Sequence, residues 1–355
     1  SSDVCSSDLV LSWALLSSAC AFVQGPISFY ALRFILGVAE AGLFPGMVLY
    51  FTYWFPQSYQ ARLTGGFMAA SPFAFIVGGP LSTSILGFDG VAGLHGWQWL
   101  FLIEGAPAFV LAFAVLRMLP DRPENAAWLT EEEKSLVAVR LAAEPKPQAR
   151  EFWPAFGDAR VWALGIAYMA VGAGGYGMRL WLPQIVQGMG FSTFATGFVV
   201  AVPYALAMAA MIWWGRSSDA KGERIRHVVL PMLLGAAGFL AASLSQSNAA
   251  MLLAIAAVVV GLDAVIGPFW SLPSSFLRGS AAAAGIALIN TLGVGLGGML
   301  GPLLIGALKD MTGGYAASMA LLALWLMVSS LIVLGYARMQ ARGFTARSET
   351  PASTH

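Results

Sequence analysis

The stretch YALRFILGVAEAGLFPGMVLYFTYW, residues 30–54, decides how the rest of the chain is read. It is nearly unbroken apolar sequence, long enough to cross a bilayer as one tilted helix. Two of its residues do not belong in hydrocarbon, Arg33 and Glu40. They are seven positions apart, which on an α-helix is almost two turns, so both side chains share one face, roughly 10 Å apart along the axis. Gly37 lies between them on the same stripe and leaves that face uncrowded. An ionisable residue inside a membrane is costly and usually faces a water-filled cavity or a partner. The spacing is too long for a direct ion pair on one helix, so each charge needs water or another group. A cation and a carboxylate stacked in this way are the parts needed to hold an organic anion and a proton in one cavity.

Composition agrees with a membrane-spanning reading. The chain has 355 residues, 58% hydrophobic and 10% charged, where soluble domains carry about 25% charged residues. Repeated apolar runs make it a polytopic all-α membrane protein with the lipid bilayer as its solvent. A net charge of +1 points to no nucleic-acid partner. Cys5 and Cys20 form no CxxC or Cys/His cluster, so neither a disulfide nor a metal site is expected. His95, His227 and His355 fall outside the spans as drawn. With no HExxH, no GxSxG and no histidine in a span, no enzyme is expected, and no cofactor beyond a proton as coupling ion. Trp13, Trp54, Trp97 and Trp99 fit interfacial belt positions.

Ten spans are expected, at about 9–24, 30–54, 63–87, 97–119, 159–186, 193–214, 228–245, 249–276, 281–308 and 315–337. The polar segment 120–156 divides them into a bundle of four over 10–119 and a bundle of six over 157–340, followed by a tail over 341–355. Within the divider, Thr130 and Glu133 form a capping box that opens a helix ending near Ala143, before Pro145. Orientation follows from Lys and Arg. Of the 19, only Lys309 falls in an outer loop and only Arg33 and Arg179 fall inside spans, if segment 120–156 is cytoplasmic. Arg62, Lys146, Arg150, Arg278 and all the others are then on the inner side, and the C-terminus is cytoplasmic. Residues 1–9, SSDVCSSDL, are unlike the rest of the chain and are expected to be a foreign or misread start on a truncated chain, with a disordered tail as the alternative. Two local matches share an offset of six spans. Glu40–Pro45 resembles Asp263–Pro268, and Gly79-Pro80-Leu81 resembles Gly301-Pro302-Leu303. They suggest two six-span halves, the first lacking two spans.

Seven blocks carry a family resemblance: RFILGVAEAGLFPG (33–46), YWFP (53–56), GWQWLFLIEGAPA (96–108), LPDRPENAAWLTEEEK (119–134), WLPQIV (181–186), PFWSLPSSFLRGSAAAAGIALIN (268–290) and the glycine-rich span after them. Over about 10–340 the chain resembles the anion:cation symporter family of the major facilitator superfamily, in its tartrate, phthalate and hydroxyphenylacetate permease subgroup. The resemblance implies two helical bundles related by a pseudo-twofold repeat, with alternating access about a central cavity. It implies that the sequence begins within helix 3 of the family pattern. It also implies roles: Arg33 helps hold a substrate carboxylate, Glu40 takes part in proton coupling, and Asn290 is a polar cavity position. The loop GRSSDAKGERIRH (215–227) is similar to the second-half gating motif, with Asp219 and Arg224 as its charges. The chain departs from the family at Val294-Gly295, where a second Asn is usual, and at Arg179 and Asp263, where uncharged residues are usual.

The remaining intramembrane groups are read from their neighbours. Arg179 comes after the glycines Gly172, Gly174, Gly175 and Gly177, which mark either a bending, gating helix or a packing seam. Asp263 is a second proton site or the partner of Arg179. Tyr176 and Tyr204 either meet an aromatic or hydroxy acid or belong to an interfacial belt. Glu104 reads as structural. The function expected is a proton-coupled importer of small organic carboxylates across a bacterial-type inner membrane, acting as a monomer. The substrate would be held by Arg33, Tyr176, Asn290 and Arg179, and the proton by Glu40 or Asp263. The rivals are a passive facilitator, an efflux carrier and a non-transporting remnant.

Overall fold

The structure, a computed structural model, describes residues 5–41, 43–56, 59, 63, 67, 70–120, 122–143, 153–277 and 280–348. Arg62, Lys146, Arg150 and Arg278, which bear on the orientation, lie outside the described residues, as do residues 1–4 and 349–355. Among the described residues every regular element is helical. The α-helices of nine or more residues are α1 (Cys5–Ala19), α2 (Pro26–Ala41), α3 (Leu43–Trp54), α4 (Ala70–Leu86), α5 (Gly96–Met118), α6 (Glu131–Ala142), α7 (Ala159–Gly188), α8 (Thr193–Lys221), α9 (Ile225–Leu244), α10 (Asn248–Ala264), α11 (Ile266–Ser274), α12 (Ser280–Asn290), α13 (Gly298–Thr312) and α14 (Ala316–Ser348). Among the described residues, seven helical spans are long and apolar enough to cross a membrane, and two shorter apolar helices cover Val10–Phe22 and Phe73–Leu86.

Local chemistry sets the ends. Ser192 and Ser247 cap α8 and α10 by accepting from Ala195 N at 3.2 Å and Ala250 N at 3.3 Å. Gly222 and Gly313 close α8 and α13 at φ of 61° and 74°, a conformation glycine adopts without strain. The capping box on α6 is present: Thr130 N donates to Glu133 Oε2 at 2.9 Å, and Glu133 N donates to Thr130 Oγ1 at 3.3 Å. Asp158 caps α7 and pairs with Arg160 Nη2 at 2.7 Å. Hydrogen bonds from Arg160 hold the Asp158 carboxyl below the ordinary carboxylate value.

Among the described residues, two spans differ from a plain helix; of the second span, α2 and α3 are described on either side of residue 42, which lies outside the described residues. The eighth is interrupted by a turn at Val265, because Pro268 has no N–H to offer the Ala264 carbonyl four residues back. The ninth opens into a π-helix over Thr291–Gly297, where TLGVGLG offers little side chain to resist a wider turn. Helix α9 also begins earlier than expected and takes in His227, which is buried.

The chain forms two compact units, residues 1–71 with 78–146, and residues 72–77 with 147–355. In the first, α1 lies along α5 and α2. Trp128, just before α6, stacks on Trp54 of α3 at 5.5 Å, and Tyr50 donates to the Pro120 carbonyl at 3.2 Å. In the second, α9 packs on α10 and α14, and α7 packs on the π segment, α13 and α14. Here the glycines of α7 act as a seam. A Cβ on Gly172 would overlap the Gly293 carbonyl, and one on Gly301 would overlap the Ala173 carbonyl. Contacts this close are how membrane helices associate when lipid removes the hydrophobic drive between them. Helix α7 runs unbroken from Ala159 to Gly188, so its glycines serve packing rather than a visible bend. Within the run Gly172–Gly177, Gly175 is the exception, with nothing within 4 Å of where its Cβ would stand.

Two substitutions separate these roles. Gly172→Ala is expected to destabilise the second unit by about 1–3 kcal/mol through overpacking, read as a lower melting temperature in detergent. Gly175→Ala should fold like the parent.

Candidate functional site

In the first unit, helix α2 presents Arg33 and Glu40 as the sequence spacing requires, both on exposed positions. Nothing lies within 4 Å of a Cβ built on Gly37, so the stripe between them is open. The two charges feel each other without an ion pair within 4.0 Å. The Arg33 guanidinium instead lies over the rings of Phe29 and Phe101, at 5.2 and 5.4 Å. Ring faces attract a cation without using its N–H donors, so the fork stays available to a carboxylate. Glu104 of α5 accepts from Ser82 Oγ of α4 and ties two helices together, in keeping with a structural part.

In the second unit, Arg179 and Asp263 line one small cavity with Gly175, Met178, Tyr204, Val259 and Leu262. Arg179 lies over the Tyr176 ring at 5.2 Å and over Phe75 at 4.9 Å. Tyr204 is buried and stacks on Phe75 at 4.9 Å, so it is a wall of this cavity and not an interfacial belt residue. Tyr176 is more open, at 36% exposed. Asn290 ends α12 and leads into the π segment with an exposed side chain; it does not line the Arg179–Asp263 cavity. A floor of stacked rings lies deeper in this unit, with Tyr168 face to face with Phe269 at 4.4 Å.

The loop after α8 is built around its charges. Arg224 Nη1 donates to Asp219 Oδ1 at 2.6 Å and to Ser218 Oγ at 2.9 Å. Ser218 Oγ donates to the Glu223 carbonyl at 2.9 Å. A second network, not foreseen from the sequence, joins it. His227 lies 2.9 Å from Glu223 through Nδ1 and 3.2 Å from Ser217 through Nε2, and its ring packs on Trp214 at 4.8 Å. The Glu223–His227 spacing of four residues was the signal available for it. Burial opposes ionisation of Glu223, but hydrogen bonds from Arg226 N and His227 outweigh it and leave the carboxyl below its ordinary value.

Apolar helices of spanning length define a multi-pass membrane protein, and the relatives below make it one of the transporter class. The model of the Major Facilitator Superfamily matches residues 9–302, and the chain belongs to that family. It is 43% identical over 343 residues to the "Putative tartrate transporter" of Agrobacterium vitis, covering 96% of this chain and 76% of that one. It is 38% identical over 338 residues to the "Quinolone resistance transporter" of Acinetobacter baumannii, covering 94% of this chain and 78% of that one. Its fold is similar to the crystal structure of a bacterial homologue of the human lysosomal transporter Spinster, inward-facing and unoccupied. The TM-score is 0.74 at 15% identity, over 94% of this chain and 82% of that one. These sequence relatives carry the names of transporters, not of enzymes.

The Glu223 network gives a pH dependence of known sign. A carboxyl depressed in the folded state contributes stability that is complete above its ordinary value of 4.5 and is lost as pH falls through its lower folded value. Glu223→Gln should lower the melting temperature at pH 7, by the equivalent of about 1 kcal/mol after solvent screening. It should also shrink the further drop on acidification, measured by thermal unfolding in detergent from pH 7 to below pH 4.

Proposed function

We propose that this protein is a proton-coupled secondary active transporter that imports small organic anions, tartrate-like or aromatic carboxylates, by alternating access. The observation that carries the proposal is the open stripe Arg33–Gly37–Glu40, where a planar cation with free donors and a carboxyl share one helix face. Arg33 is the carboxylate clamp, able to bind it as a two-pronged fork. Glu40 carries the coupled proton: once it is protonated and Arg33 is neutralised by the anion, the stripe holds no net charge to be moved across lipid. In the second unit, Arg179, Tyr176 and Asn290 serve as anion contacts and Asp263 as a second proton-carrying carboxyl. Asp219 and Arg224 act as the gating pair through their hydrogen bond. The name of the Agrobacterium vitis relative supports a hydroxy-dicarboxylate substrate. Bacterial relatives and the bias of Lys and Arg support the inner membrane with the C-terminus in the cytoplasm. The protein acts as a monomer. A second reading, an efflux carrier, draws on the quinolone-resistance relative; a passive facilitator would lack the coupling altogether.

Arg33→Lys keeps the charge and loses the fork. It is expected to weaken tartrate binding by roughly tenfold or more, with little loss of folded protein. Parent-like binding would make Arg33 a counter-charge only. Glu40→Gln mimics the protonated carboxyl permanently. In proteoliposomes it should still exchange tartrate across the membrane but no longer concentrate it when a pH gradient is imposed. Gradient-driven accumulation by Glu40→Gln would move the coupling site to Asp263.

A further inference from the structure

The cavity shared by Arg179 and Asp263 holds two opposite charges that are close but not joined. Asp263 is 8% exposed. Among the described residues its carboxylate accepts no hydrogen bond and meets no cation within 4.0 Å, although Arg179 is the charge whose field reaches it. Arg179 is held by ring faces, Tyr176 and Phe75, with Phe75 clustering in this same unit. Ring contacts fix the guanidinium in place and leave its N–H donors unspent. A structural ion pair would close this gap, since separate buried charges cost several kcal/mol each. Both charges instead line a cavity of about 10 Å³, close to what one water needs. Gly175 keeps one wall of it bare.

The groups around Asp263 leave Arg179 as its natural counterpart. Helix α8 brings Tyr204, and α7 brings Arg179, with Tyr168 and Tyr176 on the same helix. Helix α11 contains no charged residue. On α9, His227 is committed to Glu223 and Ser217, and Arg226 shares its first turn.

We propose that Arg179 and Asp263 form an internal charge lock, in which the ionised Asp263 carboxylate, facing the same cavity without a bond to Arg179, opposes through its field the docking of a substrate carboxylate on the Arg179 guanidinium. A proton taken by Asp263 from water removes that opposing charge, so that Arg179 holds the anion more tightly. Anion binding in turn favours the protonated carboxyl, because linkage between two ligands is reciprocal. The two charged groups thus share a cavity without being joined, and the lock can open. The inference rests on the organic-anion reading and adds to it a proton-sensitive affinity that belongs to the second unit alone.

The test uses the full chain in detergent, in a Glu40→Gln background that silences the carboxyl of α2. Tartrate binding is measured by calorimetry from pH 5.5 to 8.5. The affinity should fall by roughly tenfold across this range, a coupling of ordinary size, and adding Asp263→Asn should flatten the dependence to less than about twofold at the tighter limit. An unchanged slope in the double variant overturns the lock and leaves the transport reading standing. A second readout needs no ligand. The infrared band of a protonated carboxyl that vanishes in Asp263→Asn should titrate with a displaced midpoint in Arg179→Gln. A midpoint that ignores Arg179 overturns the lock even if tartrate binds nowhere, and that second failure would count against tartrate-like substrates instead.

Discussion

Placing a charged side chain at the centre of a bilayer costs about 3 kcal/mol or more, and the helices carrying Arg33, Glu40, Arg179 and Asp263 are shaped by that cost. Among the described residues neither Arg33 nor Arg179 is neutralised by a touching carboxylate. Each is cushioned on aromatic rings, Arg33 on Phe29 and Phe101, Arg179 on Tyr176 and Phe75. Ring faces offset part of the desolvation and spend none of the guanidinium donors. A cation stabilised in this way is ready for an anion that arrives and leaves, whereas one locked into a bidentate pair is not. A guanidinium resting on ring faces is thus found in each unit by itself.

Small residues make these positions possible. The glycines of α7 allow the backbones of α7, the π segment and α13 to approach to carbonyl contact. That seam anchors α7, and Tyr176 borders it with its ring against Gly298. The turn at Val265 and the π-helix at Thr291–Gly297 both lie next to candidate site residues, Asp263 and Asn290. Prolines and glycines break the helix ladder there, and breaks in spanning helices are tolerated only where neighbours or water satisfy the freed groups.

Legibility tracked the range of the interaction. The Arg33–Gly37–Glu40 stripe and the Thr130–Glu133 capping box were readable because each depends on spacing within one helix, whereas Asp219 and Arg224 stood out only through the resemblance of their loop to the gating motif. The interruption at Val265 was readable in principle, a few residues before Pro268, yet the unbroken apolar run hid it. The π segment was not, since glycine-rich sequence permits a wider turn without requiring one. Tyr204 looked like either a belt or a site residue, and only packing against Phe75 decides it. His227 was placed outside the spans because its neighbours Arg224 and Arg226 look like loop. In the structure Glu223, Ser217 and Trp214 satisfy the imidazole well enough to bury it. The choice between seam and hinge for the α7 glycines likewise turned on partners distant in sequence, Gly293, Gly297 and Gly301.

The central claim is that anion and proton move together. Proteoliposomes loaded with a pH-sensitive dye and no substrate, held at equal pH inside and out, test it when tartrate is added outside. The account predicts acidification of the lumen that depends on tartrate and is absent in Glu40→Gln vesicles. Entry of labelled tartrate with no movement of protons would contradict it.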